Sequence, residues 1–271
     1  AQLHHPYKSE LWLPGEADYT GEVISRMEAF TTECGKPSIH FFGHTHGYSR
    51  GQSRDHEHLW VNVATAGGNI DYWGEYAQAD YPEFTVTQDE WGFVMVEVEA
   101  GDDPGFLMKR ISRGNEDEFR DNELRDEIHI RLNNAMPNTP HGIYPEGSGI
   151  DPDMLILQAD SFQDTDGDEI MASHFRVYEN CNMGSTPIID EFINSENWYY
   201  YEDTQESVEL TTIPISPLNG NTEYCWQARY RDSSLGWSSW SDPLVFHTAE
   251  SQYTDNLLNN PGAEYGTDNW K

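Results

Sequence analysis

Apolar residues in the first half of the chain change from a helical spacing to short strand-like runs. The positions that share one helix face are Val23, Ile24, Met27 and Phe30. This predicts a helix that ends at Gly35, with Pro37 just beyond it. Four apolar or alternating segments predict strands, namely "SIHFFG", "LWVNVATAGGN", "WGFVMVEVEA" and "GFLMKRISRG". The charged stretch "GNEDEFRDNELRDEIHIRL" is predicted to lie at the surface. Residues 1–135 are therefore expected to form an α/β domain.

The pattern changes in the second half of the chain. Residues 136–149 are rich in proline, glycine and asparagine, which predicts an inter-domain linker. Residues 150–249 contain short strand-like segments separated by turns and no convincing helix. The clearest are "HFRVYEN", "ESVELTTI", "TEYCWQARYRD" and "DPLVFHT". This spacing predicts an all-β sandwich, and residues 254–271 begin a further segment.

Charge restricts the class of partner. The chain has 48 acidic and 15 basic residues and a formal net charge of −33. Such a negative field repels nucleic-acid backbones and anionic membranes, so neither is an expected partner. No apolar run is long enough to span a bilayer. The acidity suits solubility in salt, where screening relieves self-repulsion, and favours a secreted or cell-surface protein.

The cysteine count is odd, and no metal-type Cys-x-x-Cys spacing occurs. Cys181 and Cys225 both fall in the predicted sandwich, whereas Cys34 lies in the first domain. The sequence allows two interpretations of the sandwich pair. Either they form a disulfide, which needs an oxidising compartment, or they are separate buried thiols.

Histidines follow two of the predicted strand ends. In "FFGHTHGYSRG", His44 and His46 stand two residues apart in a loop after a strand, and His4 precedes a proline in "LHHP". A helix and a strand separate the two loops. That order places all three imidazoles at one edge of a sheet, where ligands collect in such folds. Imidazole suits zinc, iron and manganese, so these residues are predicted metal ligands.

Three other histidines are not assigned to this site. His40 lies within a predicted strand and is expected in the core or at an interface. His56 and His58, in "RDHEH", fall in a polar segment, where exposure to solvent is preferred to the alternative of metal binding.

These motifs resemble those of metallophosphoesterases. "GHTHGYSR" is similar to the last metal motif of the calcineurin-like family, and most to its purple acid phosphatase version, in which a tyrosine and an arginine follow the histidines. "LHHPY" resembles the preceding histidine motif, "NVATAGGN" the glycine-rich segment that follows, and "WGFVMVEVE" a late strand of the second sheet. The resemblance covers residues 1–112.

The resemblance implies a site with two metal ions, iron, zinc or manganese, in which a metal-bound hydroxide attacks phosphorus. His4 and His44 would bind one ion and His46 the other. His5 would contact the phosphate or leaving group, or else support a ligand from outside the first coordination shell. Tyr48 and Arg50 would line the substrate pocket.

The family also uses an Asp-x-His, a Gly-Asp and a Gly-Asn-His motif, which precede "LHHP" in related chains. This sequence does not contain them. The chain is therefore expected to be the C-terminal part of a catalytic domain and to be inactive by itself.

The second half resembles a fibronectin type III domain. Leu218 and Tyr224 have the spacing of a tyrosine corner. The segment "WSSWS" is similar to the Trp-Ser-x-Trp-Ser box of cytokine receptors, in which arginines of a neighbouring strand stack between tryptophans. The residues that would form this ladder are Arg229, Arg231, Trp237 and Trp240. A structural role, stiffening the sandwich of a spacer domain, is preferred to ligand binding.

Two further segments suggest accessory binding. In "DTDGDEI", Asp164, Asp166 and Asp168 either bind calcium or form a tight turn with a positive φ at Gly167, and the turn is preferred because the spacing departs from an EF-hand. Residues 254–271 resemble the opening of a jelly-roll, carbohydrate-binding-like domain. This implies contact with polysaccharide or a cell surface.

The sequence thus predicts part of a secreted, multidomain hydrolase of phosphate esters. The alternative is a non-catalytic structural or adhesive surface protein built on a phosphoesterase fold. The two histidine motifs favour the enzyme, because a purely structural protein has no need of them.

Overall fold

The computed structural model describes residues 1–195 and 209–251. Their elements are predominantly β-strands. The helix α1 spans Tyr19–Cys34, and a short 3-10 helix spans Leu13–Gly15. As predicted, α1 ends at Gly35, which adopts a left-handed conformation with φ of 60°. The expected α/β architecture is otherwise not seen, since α1 is the one α-helix of the described residues.

Two sheets form the first domain. The first sheet contains β1 Ser38–Phe42, β2 Tyr48–Gln52, β3 His58–Asn62 and β4 Phe84–Gln88, in the order β1-β3-β2-β4. β1 and β3 are parallel, and the other pairs are antiparallel. The second sheet is an antiparallel meander of β5 Trp91–Glu99, β6 Gly105–Gly114 and β7 Phe119–Arg131. Apolar side chains fill the space between the sheets, among them Tyr48, Leu59, Val61, Met108 and Ile130.

Strand β7 corrects the interpretation of the charged stretch as mere surface. It pairs with β6 along most of its length. Ile128 and Ile130 are buried, whereas Glu127 and His129, which alternate with them along the strand, are exposed. This alternation of buried and exposed residues is short and follows a run of acidic residues. The strand therefore forms because it pairs with β6, and its own composition would not have predicted it.

The second domain is a two-sheet sandwich. One sheet contains β8 Gly142–Tyr144, β10 Leu155–Ala159 and β13 Thr212–Ile215. The other contains β9 Gly147–Ile150, β11 Ile170–Glu179, β12 Ile189–Asn194, β14 Glu223–Asp232 and β15 Leu244–Thr248. Residues such as Leu157, Phe175, Trp226 and Phe246 form its core. The hydroxyl oxygen of Tyr224 accepts the Asn219 N–H at 3.1 Å, as in a tyrosine corner.

The segment 136–149 is not a free linker. It supplies β8, which pairs with β10, and most of β9, which runs parallel to β15. Gly142 allows close packing, because a Cβ there would meet Trp226 and Leu244 carbons at 3.0 Å. The Trp226 indole N–H donates to the Pro145 carbonyl at 3.0 Å. Turn-forming residues therefore serve here as short strands fixed by tertiary contacts.

Cys181 and Cys225 form a disulfide, and Cys34 is free and exposed. The bond joins the end of β11 to β14 and closes a separation of 44 residues. The predicted further domain at residues 254–271 lies outside the described residues.

Candidate functional site

Two short backbone segments carry the histidines to one place. Residues 1–3 run parallel to β1, with Gln2 bridged to Phe41 and the Leu3 N–H donating to the Phe41 carbonyl at 2.9 Å. His4 follows directly, and His44 follows the end of β1 by two residues. Because the two parallel segments end at the same edge, their loops meet.

Three imidazoles form a cluster at that edge. The Nε2 atom of His4 lies 3.1 Å from the Nδ1 atom of His44. The His5 ring centroid lies 4.3 Å from that of His44 and 4.6 Å from that of His4. One ring nitrogen from each residue can be chosen so that all three lie within 4.8 Å of one another. Within residues 1–195 and 209–251, no other three His, Cys, Asp or Glu side chains form such a group. We call it the histidine trio.

Hydrogen bonds from Asn62 fix the turn that contains His44. His44 has a φ of 72°, which non-glycine residues adopt rarely. The buried Asn62 amide donates to the Thr45 carbonyl at 2.9 Å and to the Thr45 hydroxyl at 2.7 Å. Its own oxygen accepts the Ala64 N–H at 3.1 Å. Asn62, at the end of β3, thus fixes the residue between His44 and His46.

His46 lies outside the trio and is paired with a carboxylate. The Asp71 Oδ2 atom accepts the His46 backbone N–H at 2.7 Å, and its Oδ1 atom lies 4.0 Å from His46 Nδ1. Asp71 is buried. The sequence analysis missed it. The available signal was an acidic residue directly after the "AGGNI" segment, and spacing alone did not connect it to His46.

The surroundings of His44 favour its neutral imidazole. Burial, followed by the neighbouring imidazoles of His5 and His4, lowers the pKa of His44 below its ordinary value. The Tyr19 hydroxyl lies 2.6 Å from His5 Nδ1. The Trp12 ring packs against His44 with a centroid distance of 5.2 Å. A neutral ring leaves a nitrogen lone pair free to bind a metal.

The donor set fits a metal ion of the kind that imidazole prefers. Three nitrogen ligands and an open position are common in catalytic zinc sites, and iron and manganese also accept imidazole. His5, which the resemblance placed beside the phosphate, is here a member of the trio. The geometry therefore supports His4, His5 and His44 as a ligand set and keeps His46 with Asp71.

Tyr48 and Arg50 do not line a pocket beside the histidines. Both are buried on β2, between two neighbouring strands and beneath the second sheet. The Tyr48 hydroxyl donates to Asp126 Oδ2 at 2.5 Å, and Arg50 binds the same carboxylate at 2.6 and 3.0 Å. The resemblance placed them near substrate, but the second sheet covers their side chains.

The segment 164–168 has the geometry of the tight turn, the interpretation that the sequence favoured over a calcium site. The Asp164 carboxylate accepts the N–H groups of Asp166 and Asp168, and Gly167 has a φ of 80°. Asp168 pairs with Arg131, and Asp166 accepts the Ala135 N–H. The segment is the tight turn, because its carboxylates bind backbone and arginine instead of converging.

His58 is not exposed. It is the first residue of β3, fully buried, and its Nε2 atom lies 3.0 Å from His40 Nδ1. Burial lowers the pKa of His58 to about 4 and that of His40 to about 3. The polar sequence around His58 concealed a position that lies between β1 and β2.

The arginines of the second domain stack on the tryptophans. The Arg229 guanidinium carbon lies 4.2 Å from the Trp237 ring centroid and 4.7 Å from that of Trp240. That of Arg231 lies 5.4 Å from Trp237. We call these four residues the Trp/Arg ladder.

Of the comparisons with known proteins, only the one with solved structures gives matches. No protein-family model matches the sequence, and a search of curated proteins finds no significant relative. Among solved structures, fibronectin(III)-like modules of Clostridium thermocellum CbhA overlap 80% of this chain and 93% of their own, at 9% identity and a TM-score of 0.32.

A stretch of titin domains overlaps 75% of this chain and 55% of its own, at 14% identity and a TM-score of 0.32. A myokine structure overlaps 43% of this chain and 99% of its own, at 13% identity and a TM-score of 0.28. Because the TM-scores and identities are this low, no conclusion follows from these neighbours. None of the described helices is long and apolar enough to cross a membrane.

Proposed function

We propose that this chain contributes the histidine metal ligands of a metal-dependent phosphoesterase that hydrolyses phosphate esters. The observation that carries the proposal is the histidine trio, in which His4 and His44 approach within 3.1 Å across the sheet edge. Three imidazoles that are held together by two separate loops have the chemistry of a metal site.

The ligands divide into two groups. His4, His5 and His44 would hold one ion, and His46 with Asp71 would contribute to a second. Bound metal ions in such sites act as Lewis acids towards phosphate oxygens and make water a stronger nucleophile. The roles of this chain's own residues are to fix the ligands. Asn62 holds the turn between His44 and His46, and Tyr19 orients the His5 ring.

The resemblance adds carboxylate and asparagine ligands that this sequence does not contain. We therefore propose that the trio binds metal by itself and that turnover needs the remaining ligands. Phosphate monoesters and diesters use the same ligand types, and both remain candidate substrates. The disulfide and the net charge of −33 favour a secreted or cell-surface location. Contact with polysaccharide or a cell surface through residues 254–271 also remains a proposal.

The test measures metal binding first. Isothermal titration of the metal-free chain with Zn²⁺ and Mn²⁺ should give a stoichiometric site, and His44→Ala should weaken it by tenfold or more. His141→Ala is the matched control, because His141 is exposed on the second domain and bonds only to Asp160 among the described residues. The dinuclear reaction is then tested on a protein that also carries the remaining ligand motifs. Elemental mass spectrometry measures its metal content, and a chromogenic phosphate monoester measures its hydrolytic activity.

The competing function is a non-catalytic surface protein. The burial of Tyr48 and Arg50 favours it, since the residues expected around the substrate are structural here. A chain that binds none of zinc, manganese or iron, or that binds them equally well after His44→Ala, would support this alternative and exclude the metal site.

A further inference from the structure

The Trp/Arg ladder touches the first domain directly. The Arg231 guanidinium, which is fully buried, donates to the Ser53 carbonyl at 2.7 Å and to the His56 carbonyl at 2.6 Å. The Trp237 indole N–H donates to the Arg54 carbonyl at 2.8 Å. All three acceptors belong to residues 53–57, the loop between β2 and β3. The ladder therefore binds the backbone of a loop of its own chain.

Side-chain charges reinforce the same contact from both directions. Arg229 of the ladder forms an ion pair with Asp55 in the loop. Arg54 of the loop reaches into the second domain, where its guanidinium lies 2.6 Å from Asp190 and 2.7 Å from the ring of the buried His174. Each domain thus places an arginine against an acid of the other.

The apolar cores of the two domains are also joined. Met171 and Leu235, both buried and both from the second domain, belong to the cluster that fills the first domain's sandwich. The Asn194 amide, at the end of β12, donates to the Phe84 carbonyl at 3.2 Å. The Ser234 hydroxyl donates to the His129 carbonyl at 2.9 Å. The first core thus includes two side chains of the second domain, and both hydrogen bonds join residues more than 100 positions apart.

We propose that the Trp/Arg ladder is an intramolecular docking surface for the loop 53–57, and that the two domains unfold as one cooperative unit. Separation would leave the buried Arg231 without its carbonyl acceptors in the loop, with only the Leu235 carbonyl of its own domain remaining among the described residues, and would leave the loop carbonyls without these donors. It would also expose Met171 and Leu235 to water. The second domain is then a structural part of the first rather than a spacer, and this face of the ladder is closed to external ligands. This inference does not depend on metal binding.

The test is hydrogen exchange followed by mass spectrometry on the full chain. In the wild type, the slowest-exchanging peptides from β1–β3 and from β11 and β14 should share one dependence on denaturant, as expected for a single unit. Arg231→Met should speed exchange in both sets by about tenfold or more. The matched control is Arg176→Gln. Arg176 stacks on Trp240 at 4.5 Å and binds Asp190, and among the described residues it has no contact with the loop 53–57. Asp190 keeps its ion pair with Arg54 in this variant, so exchange in β1–β3 should be unchanged.

Two outcomes would overturn the proposal. One is a wild-type protein whose two domains exchange with different denaturant dependences, a result that needs no variant. The other is faster exchange in Arg231→Met that is confined to β11 and β14. If that variant fails to fold, Leu235→Ala tests the same coupling through the shared core and should again loosen both domains.

Discussion

The Nε2 atom of His4 lies 3.1 Å from the Nδ1 atom of His44, although 40 residues separate the two histidines along the chain. At this distance at most one of the two facing nitrogens carries a proton, since two N–H groups cannot point at each other. The parallel course of residues 1–3 and β1 creates this contact, with His5 beside it.

Asn62 should act as a positioning residue for the metal ligands. Asn62→Ala removes both hydrogen bonds to Thr45 and releases the turn that holds His44 and His46. We expect the Zn²⁺ affinity to fall by about tenfold, as is typical when a group that supports a metal ligand is lost. Isothermal titration with Zn²⁺ measures this.

Asn133→Ala is the control, because among the described residues the Asn133 amide binds only the carbonyl of the exposed Asp102. Circular dichroism of both variants separates a change at the site from loss of the fold. Unchanged affinity in folded Asn62→Ala would contradict the role given to Asn62.

Glu10 should make the folded protein less stable as the pH rises. Burial raises the pKa of Glu10 to about 8, although it accepts hydrogen bonds from Thr87 and from the Tyr81 backbone. The folded state therefore holds a proton that the unfolded chain releases near pH 4.5. The contribution of this proton to the free energy of unfolding is fully present below about pH 4.5 and is lost as the pH rises towards about 8.

Glu10→Gln cannot titrate and should flatten this dependence. Urea unfolding should give the variant a free energy about 1–3 kcal/mol above that of the wild type at pH 8, and the difference should shrink towards pH 5. The exposed Glu22→Gln is the control and should follow the wild-type curve. Parallel curves for Glu10→Gln and wild type would show that Glu10 is ionised in the folded state.

The disulfide between Cys181 and Cys225 should stabilise the second domain. Reduction opens a separation of 44 residues, and we expect a loss of about 2–4 kcal/mol in the free energy of unfolding. Denaturation with and without dithiothreitol measures the loss. Cys34→Ser should show the same loss on reduction, because Cys34 is free and exposed. No effect of the reductant would mean that the two sulfurs are not bonded in solution.

Coupling of the two domains through the Trp/Arg ladder predicts a second effect of reducing the disulfide. If the two domains unfold together, reduction of a disulfide in the second domain should also weaken protection in β1–β3. If the contact between the loop 53–57 and the ladder does not couple the domains, reduction should weaken protection from exchange in the second domain alone.

Local patterns in the sequence determined the elements whose stabilising contacts are also local. The helical spacing from Val23 to Phe30 and the glycine at position 35 define α1, and the apolar run of β6 was predicted at its observed bounds. The "WSSWS" segment indicated the arginine stacking, because alternation on one strand places Arg229 and Arg231 on one face.

Tertiary structure alone decided the residues whose role depends on distant partners. The second sheet, through Asp126, turned Tyr48 and Arg50 from expected pocket residues into core residues. Pairing with β10 and β15 turned the expected linker into strands. Asp71 binds the His46 backbone although 25 positions, including β2 and β3, separate the two residues. A sequence pattern records which face of an element is apolar, but the packing of the whole chain decides what that face meets.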